Sequence, residues 1–306
     1  MLTSNIIRFL IGSVVLALVS TSCSSEIGDN DEGVKRYRTV IIRRPLIIED
    51  QTNENMRSVV QTYPEFKFVW TGNETIGIYP EGSTPIPFTL TGNKSPSEAT
   101  FSYKDEVLVP GKKYYSFCPY TDLLSESTPQ NIEISYEGQT MDKFLDADDN
   151  ITHIGNYDFL YASTVIPTDT ATIPEFGFKR IGALIRLKID LPELNAIYKK
   201  MTFTALEEPQ TINQFVVGGR LDMDSGRLYD VKKSPEMTLY LDNIVATEEI
   251  GTQVYTAIMI YPGDKRYGFK LSLEYESNGE LKNKLYYVNG YIYKPNYYYK
   301  QVAMEY

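Results

Sequence analysis

The chain is poor in the residues that usually carry chemistry. Among its 306 residues are two cysteines and a single histidine. One cysteine, Cys23, belongs to the N-terminal leader. Cys118 is then alone in the body, where no intramolecular disulfide can form, and stability has to come from a packed core. Cys118 lies between Phe117 and Pro119 in an aromatic strand, the setting of a buried, inert thiol. With only His153 available, His-dependent metal sites are nearly excluded and acid–base catalysis is narrowed. Positive charge is also in deficit. Thirty Lys and Arg face forty Asp and Glu, a formal charge of −10 that repels nucleic acid.

No nucleophile elbow, phosphate loop or zinc-ligand set is present, so the chain does not read as an enzyme, and no cofactor or metal is expected. Asp146–Asn150 (DADDN) places side-chain oxygens as a calcium loop would, with Asp146, Asp148 and Asn150 at positions 1, 3 and 5. Ile151 then replaces the required glycine, and the twelfth position is Tyr157 rather than Glu, which leaves a solvated acidic loop. Asp29–Gly33 has similar spacing but lies in the polar tether that follows Cys23, which offers no rigid cage. Glu207–Glu208 and Glu248–Glu249 are adjacent pairs, whereas glycoside hydrolysis needs two acids on opposing walls.

The longest apolar run, Phe9–Val19, falls short of the about 20 residues that span a bilayer. It follows a weakly basic head containing Arg8 and ends in Ser20, Thr21 and Ser22 before Cys23. Basic head, short apolar run and small-residue exit form a secretory signal over residues 1–22. A Cys directly after it points to acylation at Cys23 and anchorage of the mature chain in the outer membrane by lipid alone. Ser20 stands where bacterial lipoprotein signals carry Leu, and ordinary secretion with a spectator Cys is the alternative. Residues 23–38 then form an acidic tether and possible propeptide, Ser24–Gly33 being polar throughout.

What the body has in quantity is Tyr, 25 residues, alongside many Val, Ile, Thr and Phe. These favour strands, and Gly, Pro, Asn and Asp punctuate them at turn spacing. Strand character marks 66–70, 75–79, 100–103, 113–117, 132–136 and 157–164. After the Pro-bounded stretch Ile166–Pro174 it returns at 176–191, 200–206, 215–218, 227–231, 237–241, 252–261, 267–276, 284–288 and 297–304. A helical turn or two is expected near Leu191–Lys199. Such spacing suits β-sandwiches. Two are expected, over residues 39–165 and 172–306. In Ala183–Leu191 the alternation of Ile185, Leu187 and Ile189 with Arg186, Lys188 and Asp190 predicts one buried and one wet face, and Phe269–Tyr275 repeats the pattern.

Several segments resemble one family. Phe68–Tyr79 (FVWTGNETIGIY), Ala99–Phe101 with Val109–Pro119 (VPGKKYYSFCP), and Tyr157–Ala162 (YDFLYA) followed by Phe176–Phe178 and Leu184–Pro192 are similar, in order, to the fimbrillin-type proteins, the type V pilins of Gram-negative anaerobes. Gly218–Gly226, Met259–Asp264 and Gly290–Val302 continue the likeness, which spans residues 66–305. The resemblance implies two transthyretin-like β-sandwiches, lipoprotein export, and service as a fimbrial or adhesin subunit. It further implies that an arginine-specific protease removes an N-terminal segment and that a strand from another pilin subunit fills the groove. The matching positions are Arg36, Arg38, Arg43 and Arg44. Because Arg44 precedes Pro45, Arg38 is the preferred site. These arginines also suit a solubilised edge strand.

The last segment, Tyr286–Tyr306, is either the mobile donor strand or a sign of a tip, anchor or non-polymerising member. Tyrosines 286, 287, 291, 293, 297, 298 and 299 read as cross-strand packing, with a sugar-stacking platform as the alternative. The rival to a fimbrial subunit is therefore a lipid-anchored surface glycan-binding protein that does not polymerise, with host or bacterial surface ligands as partners.

Overall fold

The structure is a computed structural model that describes residues 36–46, 48–49, 70, 72–95, 97–145, 151–169, 171–207, 211–212, 214–263 and 267–305. Its strands are, in order, β1 (Thr39–Arg43), β2 (Ile48–Glu49), β3 (Thr75–Pro80), β4 (Ile86–Ser95), β5 (Glu98–Ser102), β6 (Lys113–Cys118), β7 (Ile132–Ser135) and β8 (Gln139–Met141). There follow β9 (Leu160–Val165), β10 (Glu175–Gly177), β11 (Lys179–Arg180), β12 (Ala183–Asp190), β13 (Ile197–Glu207), β14 (Thr211–Ile212) and β15 (Phe215–Asp222). The last are β16 (Arg227–Ser234), β17 (Glu236–Val245), β18 (Gln253–Ile260), β19 (Tyr267–Ser277), β20 (Glu280–Tyr291), β21 (Tyr297–Val302) and β22 (Met304–Glu305). Among the described residues the helical elements are two short 3₁₀ turns, and none could cross a membrane. The protein is all-β.

Eight strands form the first sheet, in the order β10-β1-β5-β4-β3-β6-β9-β11. Its two ends, β10 and β11, are separated in the chain by Phe178 alone, so the sheet must curl until its edges meet. The curl encloses a core of Val40, Ile42, Trp70, Ile76, Ile78, Phe88, Phe101, Leu108 and Phe176. Close backbone approach explains one strand glycine here. A Cβ on Gly77 would stand 2.9 Å from the Tyr79 ring and 3.0 Å from that of Tyr120.

The later strands build a four-stranded sheet, β18-β12-β21-β2, a seven-stranded one, β22-β20-β19-β13-β17-β8 with β14 also paired to β13, and a three-stranded one, β16-β15-β7. A second and larger core joins them, rich in Leu, Ile and buried tyrosines. The pairing crosses the 166–174 stretch in both directions. β10 and β11 follow it and complete the first sheet, whereas β7 and β8 precede it and join β15 and β17.

β19 alternates as its sequence requires, with Phe269, Leu271, Leu273 and Tyr275 buried. β12 does so only toward its end, where Ile189 is buried, Lys188 half-buried and Asp190 exposed. It lies between β18 and β21, and Leu184 and Arg186 are buried along with Ile185 and Leu187. The Arg186 guanidinium lies 4.7 Å from the Tyr255 ring of the neighbouring strand, so the face expected to be wet is covered at that position. The expected helical turn near 191–199 is instead a tight turn with Asn195 at φ 60°, and β13 starts at Ile197.

Candidate functional site

β1 is the element that the arginines bracket. Its residues alternate, so Val40 and Ile42 point into the first core with no exposed surface while Thr39 and Ile41 lie on the outer face. Burying two such side chains stabilises the fold by about 1.5–3 kcal/mol each. Along one edge β1 runs antiparallel to β5, with Val40 opposite Phe101 and Ile42 opposite Ala99. Along the other it runs parallel to β10, with Ile42 beside Phe176. Backbone bonds extend the hold at both ends. Tyr103 N–H donates to the Arg38 carbonyl at 2.8 Å, and Phe178 N–H donates to that of Arg43 at 2.8 Å. Before the strand, Tyr37 is buried, donating its N–H to the Leu108 carbonyl at 3.0 Å and its hydroxyl to the Asp169 carbonyl.

The strand ends in a pair of ionic contacts. Arg43 Nη1 lies 2.6 Å from Glu98 Oε2 on β5, and Arg43 Nε lies 2.5 Å from Glu175 Oε1 on β10. The Glu175 hydrogen bond, with the nearby carboxylate charges, raises the Arg43 pKa further, so the guanidinium is permanently charged. One side chain thus ties β1 to both neighbours at once. Arg44 turns the other way, its guanidinium 3.6 Å from the centre of the Trp70 ring, and Trp70 meets Phe101 edge-on at 5.1 Å.

Immediately downstream the chain is anchored by buried polar groups. Arg180, with no exposed side-chain surface, donates to both carboxylate oxygens of Asp158 at 2.5 and 3.1 Å, to Asn296 Oδ1 at 2.6 Å and to the Pro45 carbonyl at 3.4 Å. Asn296 in turn donates to the Leu46 carbonyl at 2.9 Å. Paired charges inside a fold need such full satisfaction. β2 then pairs with β21, which carries the segment after Arg44 into the later sheets.

The bracketing arginines therefore divide by position. Arg36 and Arg38 are exposed and precede β1, Arg43 closes it, and Arg44 is half-buried. Sequence favoured Arg38, but the strand begins at Thr39, so a cut there removes tether and leaves β1 in the body. A cut after Arg43 would separate β1 from the anchored segment. Cys23 and the Asp29–Gly33 and Asp146–Asn150 loops lie outside the described residues.

No protein-family model matches the chain, and no curated protein matches it. Solved structures do. They include proteins provisionally assigned to cell adhesion, one from Bacteroides ovatus at 15% identity, covering 87% of this chain and 92% of that one with a TM-score of 0.47. One from Bacteroides uniformis is 11% identical over 71% of this chain and 79% of that one, TM-score 0.45. One from Bacteroides fragilis is 10% identical over 88% and 92%, TM-score 0.45.

The remaining sequence candidates resolve by burial. Cys118 is buried, which pushes its thiol up to about 11 and keeps it protonated. His153 is held by burial below its usual pKa and donates from Nε2 to the Ala257 carbonyl at 2.8 Å, a structural role. Of the closing tyrosines, Tyr286, Tyr293, Tyr298 and Tyr299 are core residues, so the tyrosines do not form an exposed platform. β21 is an inner strand of its sheet. No cluster of metal-ligating side chains occurs among the described residues. Sequence reasoning missed the Glu98–Arg43–Glu175 contacts and the Arg180 hub.

Proposed function

We propose that the protein is a surface-displayed adhesin subunit of the fimbrillin type, exported as a lipoprotein acylated at Cys23 and assembled by trimming of its N-terminus and exchange of β1 for a strand of another subunit. One observation carries the reading. β1 fills a channel between β5 and β10 with two wholly buried side chains, and arginines stand at both of its ends. A strand so placed is replaceable in kind, because any extended segment with matching alternate residues satisfies the same backbone groups and pockets. The Arg43–Arg44 bond is the release point on this reading, with Arg36 and Arg38 as sites that trim the tether.

The test is to treat the purified full chain with an arginine-specific protease, sequence the new N-terminus and run the product unboiled on SDS gels. An N-terminus at Arg44 together with SDS-resistant oligomers is expected. A chain that is cut there and stays monomeric overturns assembly by strand exchange.

A second reading, a glycan-binding surface protein that does not polymerise, is favoured by a different feature. An open cavity of about 360 Å³ is lined by Tyr161, Tyr261, Pro262, Tyr293, Lys294 and Pro295, and tyrosine and proline faces are suited to stacking on sugar rings. Retention of the protein on a polysaccharide column, lost in Tyr261→Ala, distinguishes this reading from the first.

A further inference from the structure

The channel that β1 occupies has a chemical pattern of its own, set by what β1 presents to it. Positions 40 and 42 need apolar side chains of the size of Val and Ile, since both are fully enclosed by a close-packed core containing Phe101 and Phe176, and larger groups there would overpack it. Position 43, on the opposite face, meets two carboxylates on two different strands, Glu98 and Glu175, 77 positions apart in the chain. Without the residue-43 cation these carboxylates would flank the channel end as like charges. The antiparallel partner β5 and the parallel partner β10 also fix the direction of the strand, so the charge demand falls at its C-terminal end alone.

Resting on the strand-exchange reading, we propose that this channel selects its occupant by charge. It accepts an extended segment of another polypeptide that carries two aliphatic side chains two residues apart, followed at once by a basic residue that bridges Glu98 and Glu175. Arginine fits better than lysine, because Nε and Nη1 of one planar fork reach the two carboxylates separately, which a single ammonium cannot reproduce in that geometry. A neutral residue forfeits both ionic contacts. An acidic one adds a third negative charge and is rejected. Backbone pairing and the apolar pockets supply adhesion that many strands could satisfy; the charged end supplies discrimination.

The experiment uses the full chain with a sequence-specific protease site inserted between Arg44 and Pro45, so that β1 is severed in the folded protein. The nicked protein is mixed with a fluorescent peptide copying residues 36–44 or with its Arg43→Glu form, and retained peptide is measured by gel filtration. At least tenfold greater retention of the Arg form is expected, falling below threefold in Glu98→Gln/Glu175→Gln. Equal retention of the two peptides, or a preference that survives the double substitution, overturns the proposal. A measurement without the cut covers the case in which the nicked protein releases nothing. In the intact chain Arg43→Glu is expected to speed hydrogen exchange at the β1 amides about tenfold, and adding Glu175→Arg to restore it to within threefold; failure of that rescue overturns the proposal. Charge-selective retention without oligomers from the cut protein sinks strand exchange and leaves the selective channel standing. Oligomers without charge selectivity do the reverse.

Discussion

β1 lies between an antiparallel partner, β5, and a parallel one, β10, whereas β21 lies between two parallel partners, β12 and β2. β1 buries one face, through Val40 and Ile42. β21 buries the successive residues Tyr298 and Tyr299, which point to opposite faces, and Tyr299 also meets Tyr293 edge-on at 4.9 Å. At its charged end β1 is held by Arg43, half of whose side chain is exposed (52%). Just before β21 the chain is held by Asn296 and the wholly buried Arg180. A strand with one buried face and a solvent-facing ionic hold can be exchanged for another of like pattern. One buried on both faces beside a buried charge pair cannot leave without opening the core around it. The difference between the two holds is therefore a difference in what each strand is free to do.

The sharpest way to break this comparison is to remove one cation from each hold. Arg180→Met leaves Asp158 buried without its partner and is expected to cost about 3–5 kcal/mol, read as a lower denaturant midpoint. Arg43→Met removes two ion pairs of a half-exposed side chain and is expected to lower the midpoint by a small but measurable amount, well short of the Arg180→Met loss. Similar losses for the two would mean that β1 is as firmly built in as the segment leading into β21.

Next in size is Ile42→Ala, which removes a fully buried branched side chain and is expected to cost about 2–4 kcal/mol. Where that loss appears sharpens the comparison. Faster hydrogen exchange confined to residues 39–43, 98–102 and 175–177, with β21 unchanged, marks β1 as a separately opening element. Acceleration in β21 as well would show that the two cores open together.

Much of this architecture was legible in the sequence, because most strands are β-branched and aromatic runs ended by turn residues. β3, β6 and β19 fall almost where their patterns put them. β4 escaped notice because Pro87 and Gly92 interrupt it. Pro87 sits opposite Gly77 with its ring exposed, and the ladder shifts register around Gly92, so the strand tolerates both. Arg186 misled for another reason, since a charged residue in an alternating strand reads as solvent-facing until Tyr255 is seen to cover it. The site was half legible. Arginine spacing marked residues 36–44, but the choice between Arg38 and Arg43 depends on where β1 begins. The contacts that matter most join Arg43 to Glu175 and Arg180 to Asn296, 132 and 116 residues apart, and nothing local in the sequence announces them.

The smallest effect expected concerns a link between the first sheet and the turn that joins β15 to β16, both of which face the larger core through Tyr115 and Leu221. Asp224, in the turn between β15 and β16, accepts from Lys113 Nζ at 2.7 Å and Tyr115 hydroxyl at 2.6 Å on β6, and from Gln130 at 2.8 Å. Led by Lys113, these partners hold its carboxyl down at about 2, against 3.8 for an ordinary aspartate. A carboxyl whose pKa is depressed by folding stabilises the folded state above its unfolded value, and that contribution fades as pH falls from about 4 toward 2. Because 41% of the Asp224 side chain is exposed, solvent screening limits the effect to under about 1 kcal/mol. Wild-type protein is accordingly expected to be slightly more stable than Asp224→Asn at pH 5, with the difference vanishing near pH 2. If the difference held at pH 2, the carboxylate charge would not be what joins β6 to the turn, and neutral hydrogen bonding to Tyr115 and Gln130 would have to carry the link. If instead it exceeded 2 kcal/mol at pH 5, β6 and the β15–β16 turn would be coupled strongly enough that loosening of the first sheet would be felt in the later ones.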